Sequence, residues 1–472
     1  MDLKEKCGLF AAYNGRTTSK DIYLGLYAQQ HRGQESAGIV VSRGLGDYAL
    51  HKDIGLVTNV FSEKLLHQLD GTFGIGHVRY STSGSCAEKD IQPLVATHRG
   101  QIIAMAHNGN IVNALDLKEG LESDGSVFTT TSDSEVILHK IVRVRSDDPV
   151  EKICEGLRGV EGAYSLVFLF NDGVAAVRDP FGFRPLFLGR KDGSIFFASE
   201  TCAFDILNAE CVAEVSPGEG YFVGPKGLRR FQLPVPAVER MCSFETIYFS
   251  RPDSQFKNQA IHRYRIKLGE ELAREHPVDA DIVTGIPDSS NSASLGYSIA
   301  SGIPLDIVLV RSHYTGRTFI APYQSMRDLN VRKKINIISD SVLGKRVVVV
   351  DDSIVRGTTS RQIVKMFRDH GAAQVHLRIA SPMVRHPCFF GIDMPDPDDF
   401  LANKAPADQL AGYLGVDSIG YLSVDALKRV VGDQTCMACF TGKYPVPVNG
   451  QSNCISKTAA APESAPLEPE PV

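Results

Sequence analysis

The sequence predicts two units of different class: an α+β layered sheet structure over residues 7–235 and an α/β domain built on a parallel sheet over residues 236–456. Three observations carry this reading. From Cys7 to about Phe231, short apolar runs such as 73–78, 102–106 and 163–170 alternate with glycine turns, as strands do. Beyond His262 the pattern changes to a helix over 262–275 and then apolar strands at 282–285, 307–310 and 347–350 separated by helices, an order that makes a parallel sheet. Between the two patterns, residues 232–238 carry Pro234 and Pro236, which disfavour regular structure, so the boundary is set near residue 235.

A chain of 472 residues is too long for one ordinary core, which agrees with two folding units. With 43% hydrophobic and 22% charged residues it has the composition of an ordered globular protein, and 42 glycines imply many tight loops. A net charge of −5 gives no global attraction for nucleic acid or an anionic membrane, so any phosphate site has to be built locally. No apolar run approaches the roughly 18 residues of a membrane span, and residues 1–6 are charged rather than signal-like; a cytoplasmic location is expected. Ten cysteines in such a chain argue against a disulfide framework and for thiol catalysis, metal ligation or plain buried thiols. Residues 457–472, rich in Ala, Pro and Glu without periodicity, are expected to form a disordered tail.

Cys7-Gly8-Leu9-Phe10 opens the first apolar stretch. Removal of residues 1–6 as a propeptide would leave Cys7 first in the chain. Its own α-amine, with a reference pKa near 7.7–8.0, would then take the thiol's proton without a separate base. Taken alone, an isolated cysteine is more often a small buried hydrophobe. Its company outweighs that. His31-Arg32-Gly33-Gln34-Glu35-Ser36, Gly76-His77-Val78-Arg79-Tyr80-Ser81-Thr82, His107-Asn108-Gly109-Asn110 and Thr131-Ser132-Asp133-Ser134-Glu135 resemble, in order and spacing, the class II glutamine amidotransferases. That resemblance implies the αββα sandwich of N-terminal nucleophile enzymes, with the Cys7 thiol attacking the glutamine amide. It also implies an oxyanion hole from Asn108 and the Gly109 N–H, Arg79 on the substrate α-carboxylate and Asp133 on its α-ammonium. His31, His77 and His107 are read as structural.

In the second unit, Val347-Val348-Val349-Val350-Asp351-Asp352-Ser353-Ile354-Val355-Arg356-Gly357-Thr358-Thr359 sets two carboxylates at the end of a buried strand, then a small-residue loop and a helix beginning near Ser360. Loop N–H groups and the positive end of a helix suit a phosphate, and the paired carboxylates suit ribose hydroxyls or a metal ion. The spacing is neither a Walker A loop nor a dinucleotide fingerprint. A helix capped by Asp and Thr would need no ligand. The run resembles the signature of type I phosphoribosyltransferases. Phosphoribosyl pyrophosphate contacts are expected from Asp351, Asp352, Ser353, Arg356, Gly357, Thr358 and Thr359. Gly285-Ile286-Pro287-Asp288-Ser289 follows a strand and offers a second anion loop, and the cations of 311–334, Arg317 and Lys333 among them, suit closure over a pyrophosphate.

Joined, the two halves resemble the amidophosphoribosyltransferase family over nearly the whole chain, including Arg178-Asp179-Pro180-Phe181-Gly182 and Cys439-Phe440-Thr441-Gly442. The resemblance implies the first committed step of purine synthesis: glutamine, phosphoribosyl pyrophosphate and water give 5-phosphoribosylamine, pyrophosphate and glutamate, with ammonia passed between two sites. It further implies one magnesium ion per subunit on Ser289, Asp351 and Asp352, ordering of 311–334 by phosphoribosyl pyrophosphate, inhibition by purine nucleotides and a homotetramer. A sugar-isomerase partner for the glutaminase is the rival enzyme reading, against which the Asp351-Asp352 loop speaks. A regulator on an inactive scaffold is the non-enzyme reading, against which Cys7, Arg79, Asn108 and Asp133 speak.

Cys436-Met437-Ala438-Cys439 is a Cys-x2-Cys pair, which by itself fits zinc, redox or iron–sulfur use. Family members that carry a cluster place two further cysteines where Cys242 and Cys388 stand, so the resemblance implies one 4Fe-4S centre per subunit on Cys242, Cys388, Cys436 and Cys439, with a structural role. Zinc accepts the same four thiolates. Cys86, Cys154, Cys202, Cys211 and Cys454 match no ligand position.

Overall fold

The computed structural model describes residues 7–13, 18–44, 46–80, 88–312, 335–394 and 396–448. The expected propeptide 1–6, the tail 457–472, Arg317, Lys333, Cys86 and Cys454 lie outside the described residues.

Two antiparallel sheets make the first domain. In the seven-stranded sheet, Gly8–Tyr13 runs between Phe73–Arg79 and Ser194–Ala198. In the six-stranded sheet, Gln101–Ile111 runs between Leu94–His98 and Gly162–Phe170. Alternation along each strand builds the layers, because successive side chains point to opposite faces. Leu9 and Ala11 join Ile102, Ala104, Val167 and Leu169 in a core between the sheets. Phe10 and Ala12 instead meet Ile22 and Leu26 of the helix Thr18–Ala28. On the far side, Ile103, Met105, Leu166 and Phe168 pack on Val136, Ile137 and Ile141 of the helix Ser134–Arg143. The order is helix, sheet, sheet, helix. Strands covered on both faces are apolar throughout, which is why these runs do not alternate in hydrophobicity.

The second domain is a four-stranded parallel sheet in the order Ile282–Gly285, Arg346–Asp351, Gln374–Ile379, Ser418–Tyr421. Val348 and Val350 face the helices Ile261–Glu275 and Asn291–Ser301 through Leu268, Leu272 and Tyr297. Val347 and Val349 face the helix Thr358–Asp369 through Ile363, Val364 and Phe367. Helices thus cover both faces, as a parallel sheet requires. The strand expected at 307–310 is different. It is observed as Leu309–Arg311, paired antiparallel with Ile335–Ile337 in a separate ribbon. Ile307 is 73% exposed there, so the apolar run is not part of the central sheet's core. The helix expected to begin near Ser360 starts at Thr358, within the usual scatter of helix ends.

The junction between the halves is hydrogen-bonded. Backbone N–H groups of Val238, Arg240 and Cys242 donate to the carbonyls of Pro180, Phe181 and Phe183, at 2.9, 2.6 and 3.1 Å. Met241–Cys242 then pairs in parallel with Thr435–Cys436, which returns the end of the described chain to the domain boundary.

Candidate active sites and cysteine cluster

Cys7 leads into the central strand of the first sheet. Gly8 pairs with Val78, so Arg79 emerges beside it from the neighbouring strand. His77 links this sheet to the other one: its Nε2 lies 3.2 Å from the carbonyl of His107, the residue before Asn108. Burial first, then the charge of Arg79, holds the His77 imidazole down to about 3, so it is neutral at physiological pH. His107 is likewise lowered by burial, and its Nδ1 lies 2.9 Å from Ser134 Oγ. His31 Nε2 is 2.7 Å from Glu200 Oε1.

Asn108 is buried at 3% exposure, and its Nδ2 has no hydrogen-bond partner among the described residues. A buried orphan donor is costly and rare, so one aimed at a site is a reason to look for a ligand. Gly109 beside it has φ +154°, and a β-carbon there would lie 1.9 Å from the Ala163 carbonyl oxygen, so only glycine fits. Asp133 precedes the helix Ser134–Arg143 and its Oδ2 accepts the Ile111 N–H at 2.8 Å, next to the Asn108–Gly109 pair on the same strand.

Two residues without a motif hold these groups together. Arg79 Nη1 donates to the Asp90 carbonyl at 2.7 Å, while the Asp90 carboxylate accepts from Thr131 N and Thr131 Oγ1 at 2.8 and 2.7 Å. Gln92 Oε1 accepts the His107 N–H at 2.7 Å and its Nε2 donates to Ser134 Oγ at 3.2 Å. The fold therefore brings Cys7, Arg79, Asn108, Gly109 and Asp133 to one end of the sandwich. Sequence reading missed Asp90 and Gln92 because their work is tying loops, which leaves no spacing signal.

At the second site, Asp351 ends its strand and Asp352 follows, both buried and both at the carboxyl end of the parallel sheet, where ligands of such sheets bind. Ser289 Oγ donates to Asp352 Oδ2 at 2.5 Å, Ser290 Oγ to Asp351 Oδ1 at 3.3 Å and Ser353 Oγ to Asp352 Oδ1 at 2.7 Å. Burial, and then the negative charge of Asp352, pushes Asp351 up to about 7. Two carboxylates and a hydroxyl form an all-oxygen donor set, which fits a hard cation such as magnesium. Gly357, at φ +76°, turns the chain into the helix Thr358–Asp369, whose first N–H groups follow at once. Arg356 pairs with Asp399 at 3.3 Å and its Nε is buried without a partner among the described residues. Of the predicted cation segment, Arg311 is described, and its Nη1 donates to Asp288 Oδ2 at 2.7 Å.

Tyr248 lies in the turn Glu245–Phe249 and packs against the core of the second domain. Burial pushes its hydroxyl upward, and the charges of Asp352 and Asp351 add to that.

Cys242, Cys388, Cys436 and Cys439 come together at the domain boundary. Each of Cys242 and Cys439 feels the charge of other members of the set, and burial is the leading reason their thiols are raised. Burial likewise pushes Cys436 up to about 12. Among the described residues no three Cys, His, Asp or Glu side chains converge as a single metal ion requires. Cys242 and Cys439 are buried and Cys388 and Cys436 partly buried, a set of soft thiol donors that suits an iron–sulfur centre or zinc. The Phe390 N–H donates to Cys388 Sγ at 3.3 Å, and Asn110 Nδ2, next to Gly109, donates to the Phe389 carbonyl at 2.9 Å. The Cys388 loop therefore touches the strand that carries Asn108.

Comparison with known proteins agrees with this geometry. Residues 77–205 match the family model of the glutamine amidotransferase domain. The chain is 46% identical over 463 residues to the amidophosphoribosyltransferase of Methanocaldococcus jannaschii, covering 94% of this chain and 98% of that protein. It is 42% identical over 454 residues to the amidophosphoribosyltransferase of Bacillus subtilis, covering 94% and 95%. Among solved structures it resembles the glutamine phosphoribosylpyrophosphate amidotransferase of B. subtilis complexed with ADP and GMP, with a TM-score of 0.90 at 41% identity over 96% of this chain and 100% of that one. A structure described as the allosteric regulatory enzyme of purine biosynthesis matches with a TM-score of 0.91 at 41% identity, covering 96% and 99%. The likeness runs through both domains, which removes the sugar-isomerase alternative.

Proposed function

The chain belongs to the amidophosphoribosyltransferase family, enzymes of the committed step of purine biosynthesis that draw on glutamine-derived ammonia, and we propose which of its residues carry that reaction. The Cys7 thiolate attacks the glutamine amide carbon after its proton passes to the Cys7 α-amine, which requires that residues 1–6 be removed. Arg79 binds the α-carboxylate and Asp133 the α-ammonium. As the carbonyl becomes tetrahedral, the new oxyanion takes hydrogen bonds from Asn108 Nδ2 and the Gly109 N–H. Collapse returns that proton from the α-amine to the amide nitrogen, expels ammonia and leaves a thioester on Cys7, which water hydrolyses to glutamate. The observation that carries this reading is the buried Asn108 Nδ2, which has no partner among the described residues.

Ammonia then attacks the ribose C1 of phosphoribosyl pyrophosphate and pyrophosphate leaves. The loop Asp351, Asp352, Ser353, Arg356, Gly357, Thr358 and Thr359 holds the sugar phosphate, with Arg317 and Lys333 on the pyrophosphate. Ser289, Asp351 and Asp352 would hold one magnesium ion, which supplies positive charge for the leaving group when bound. Free ammonia would be protonated and lost in water, so an internal passage is required. Cys242, Cys388, Cys436 and Cys439 would hold a 4Fe-4S cluster that ties the end of the described chain to both domains. Purine nucleotide inhibition and a homotetramer complete the reading, the former supported by the ADP and GMP in the B. subtilis structure. No helix among the described residues is long and apolar enough to cross a membrane.

The test is pyrophosphate release from phosphoribosyl pyrophosphate. Cys7→Ala should abolish the glutamine-supported rate, while ammonium chloride at high pH still supports turnover. A Cys7→Ala enzyme that still uses glutamine would refute the nucleophile, and mass spectrometry showing residues 1–6 intact in a fully active enzyme would refute the α-amine base.

A further inference from the structure

Glu245 opens the helical turn Glu245–Phe249, three residues after Cys242 and on the second-domain side of the linker. Its side chain is 1% exposed and is gripped by Arg32 of the first domain. Arg32 Nη2 donates to Oε1 at 2.9 Å and Nη1 to Oε2 at 3.1 Å, a two-point fork. The Arg32 side chain is fully buried, and its Nε–H points elsewhere, to the backbone carbonyl of Cys7 at 3.0 Å. Nη1 also donates to Glu200 Oε1 at 2.5 Å, and the other oxygen of Glu200 accepts from Arg251 N and Ser254 Oγ at 2.9 and 2.7 Å. Ser250 Oγ donates to Glu245 Oε2 at 2.9 Å. Arg184 Nη1 reaches Glu245 Oε1 at 3.3 Å, and its Nη2 donates to the Phe390 carbonyl at 2.9 Å, two residues from Cys388.

A guanidinium is planar, so clamping one edge fixes where the remaining N–H groups point. With its Nη edge held by Glu245, Arg32 aims Nε–H at the carbonyl of the residue that bears both the thiol and its amine. Burial alone would push the Glu245 carboxyl up, but the charge and hydrogen bonds of Arg32, with Arg184, outweigh it and hold the group below its ordinary value. The fork is therefore charged at neutral pH. Two arginines and two carboxylates balance, which is the condition for keeping such charges out of water.

We propose that Glu245 is a positioning residue for the Cys7 nucleophile, acting through Arg32, so that glutamine is attacked at full rate only while the second domain is docked as in this structure. This rests on the assignment of Cys7 as nucleophile. It adds a control that neither substrate pocket contains, since Glu245 is assigned to neither.

Glu245→Gln keeps the shape and removes the charge, and Glu245→Asp keeps the charge on a shorter arm. Glutamate release and ammonium-supported pyrophosphate release are measured on the same preparations. Glu245→Gln is expected to lower the glutamine kcat at least about tenfold, with the glutamine KM and the ammonium-supported rate within about twofold of the parent, because alignment rather than binding is lost. Glu245→Asp is expected to recover part of that loss, and if the Gln variant does not fold, the Asp variant carries the test through the same split of kcat from KM. An unchanged glutamine kcat would overturn the proposal. So would a KM effect alone, or a parallel fall of both rates, which would mark a merely structural role. Cys7→Ala, run alongside, separates the two ideas: if it loses glutamine turnover while Glu245→Gln does not, only the positioning role fails.

Discussion

Asn108 shows how much one side chain can say. Leaving a buried amide N–H unpaired costs on the order of 1–3 kcal/mol, and Asn108 Nδ2 is such a donor among the described residues. On the proposed reading that donor serves the oxyanion that appears only during turnover. Asn108→Ala should therefore lower the glutamine-supported kcat by about 10²- to 10³-fold, the usual loss for one oxyanion donor, while the melting temperature stays level or rises. A large loss of stability with a modest loss of rate would contradict this. The sequence displayed Asn108 and Gly109 within a motif, but the orphaned state of Nδ2 depends on what surrounds it, as does the 1.9 Å approach that reserves position 109 for glycine. Asp90 and Gln92 were invisible for the same reason: the loops they join are distant in sequence, at Thr131 and at His107 and Ser134.

At the scale of elements, the two sheets of the first domain are pinned to each other next to the site by His77, whose Nε2 meets the His107 carbonyl. This bridge has a pH signature. Burial and Arg79 hold His77 at about 3 in the fold, whereas an unfolded histidine titrates near 6.5. Below pH 6.5 the unfolded chain takes up a proton that the folded chain refuses until about pH 3. Stability is thus complete above 6.5, falls as pH drops through the window from 6.5 to about 3, and has lost about 2 kcal/mol by pH 5 from this group. Thermal midpoints at pH 7.5 and 5.0 check it: His77→Gln should show a shallower fall than the parent between the two. Strands themselves were well marked in the sequence, because runs such as 347–350 are apolar on both faces. Partnership was less so. Residues 307–310 have the same apolar character, yet Leu309–Arg311 pairs with Ile335–Ile337 outside the central sheet, since hydrophobicity marks a strand without naming its neighbour.

For the whole molecule, the boundary is where chemistry and stability meet. The Cys388 loop touches the Asn108 strand through Asn110, and the Met241–Cys242 to Thr435–Cys436 pairing draws the end of the described chain to the same place. A cluster held there would act on both activities. Anaerobically purified protein should contain about four irons and four sulfides per chain, with the visible absorption of a cubane. Cys439→Ser should lose that absorption, melt earlier and lose glutamine turnover together with ammonium turnover. Stoichiometric zinc without iron would reject the cluster. The sequence by itself determined the residue types available: a cysteine opening the first strand, a paired-carboxylate loop at a strand end, a Cys-x2-Cys pair, and two sheet domains of different kind. These are local facts of residue type and spacing. Only the tertiary structure decided which distant groups meet, the Arg32–Glu245 fork and the Asn110–Phe389 contact across the boundary and the Asp90 tie within the first domain. Such contacts join residues tens to hundreds of positions apart, and hydrogen-bond directions and burial exist only once the layers have packed.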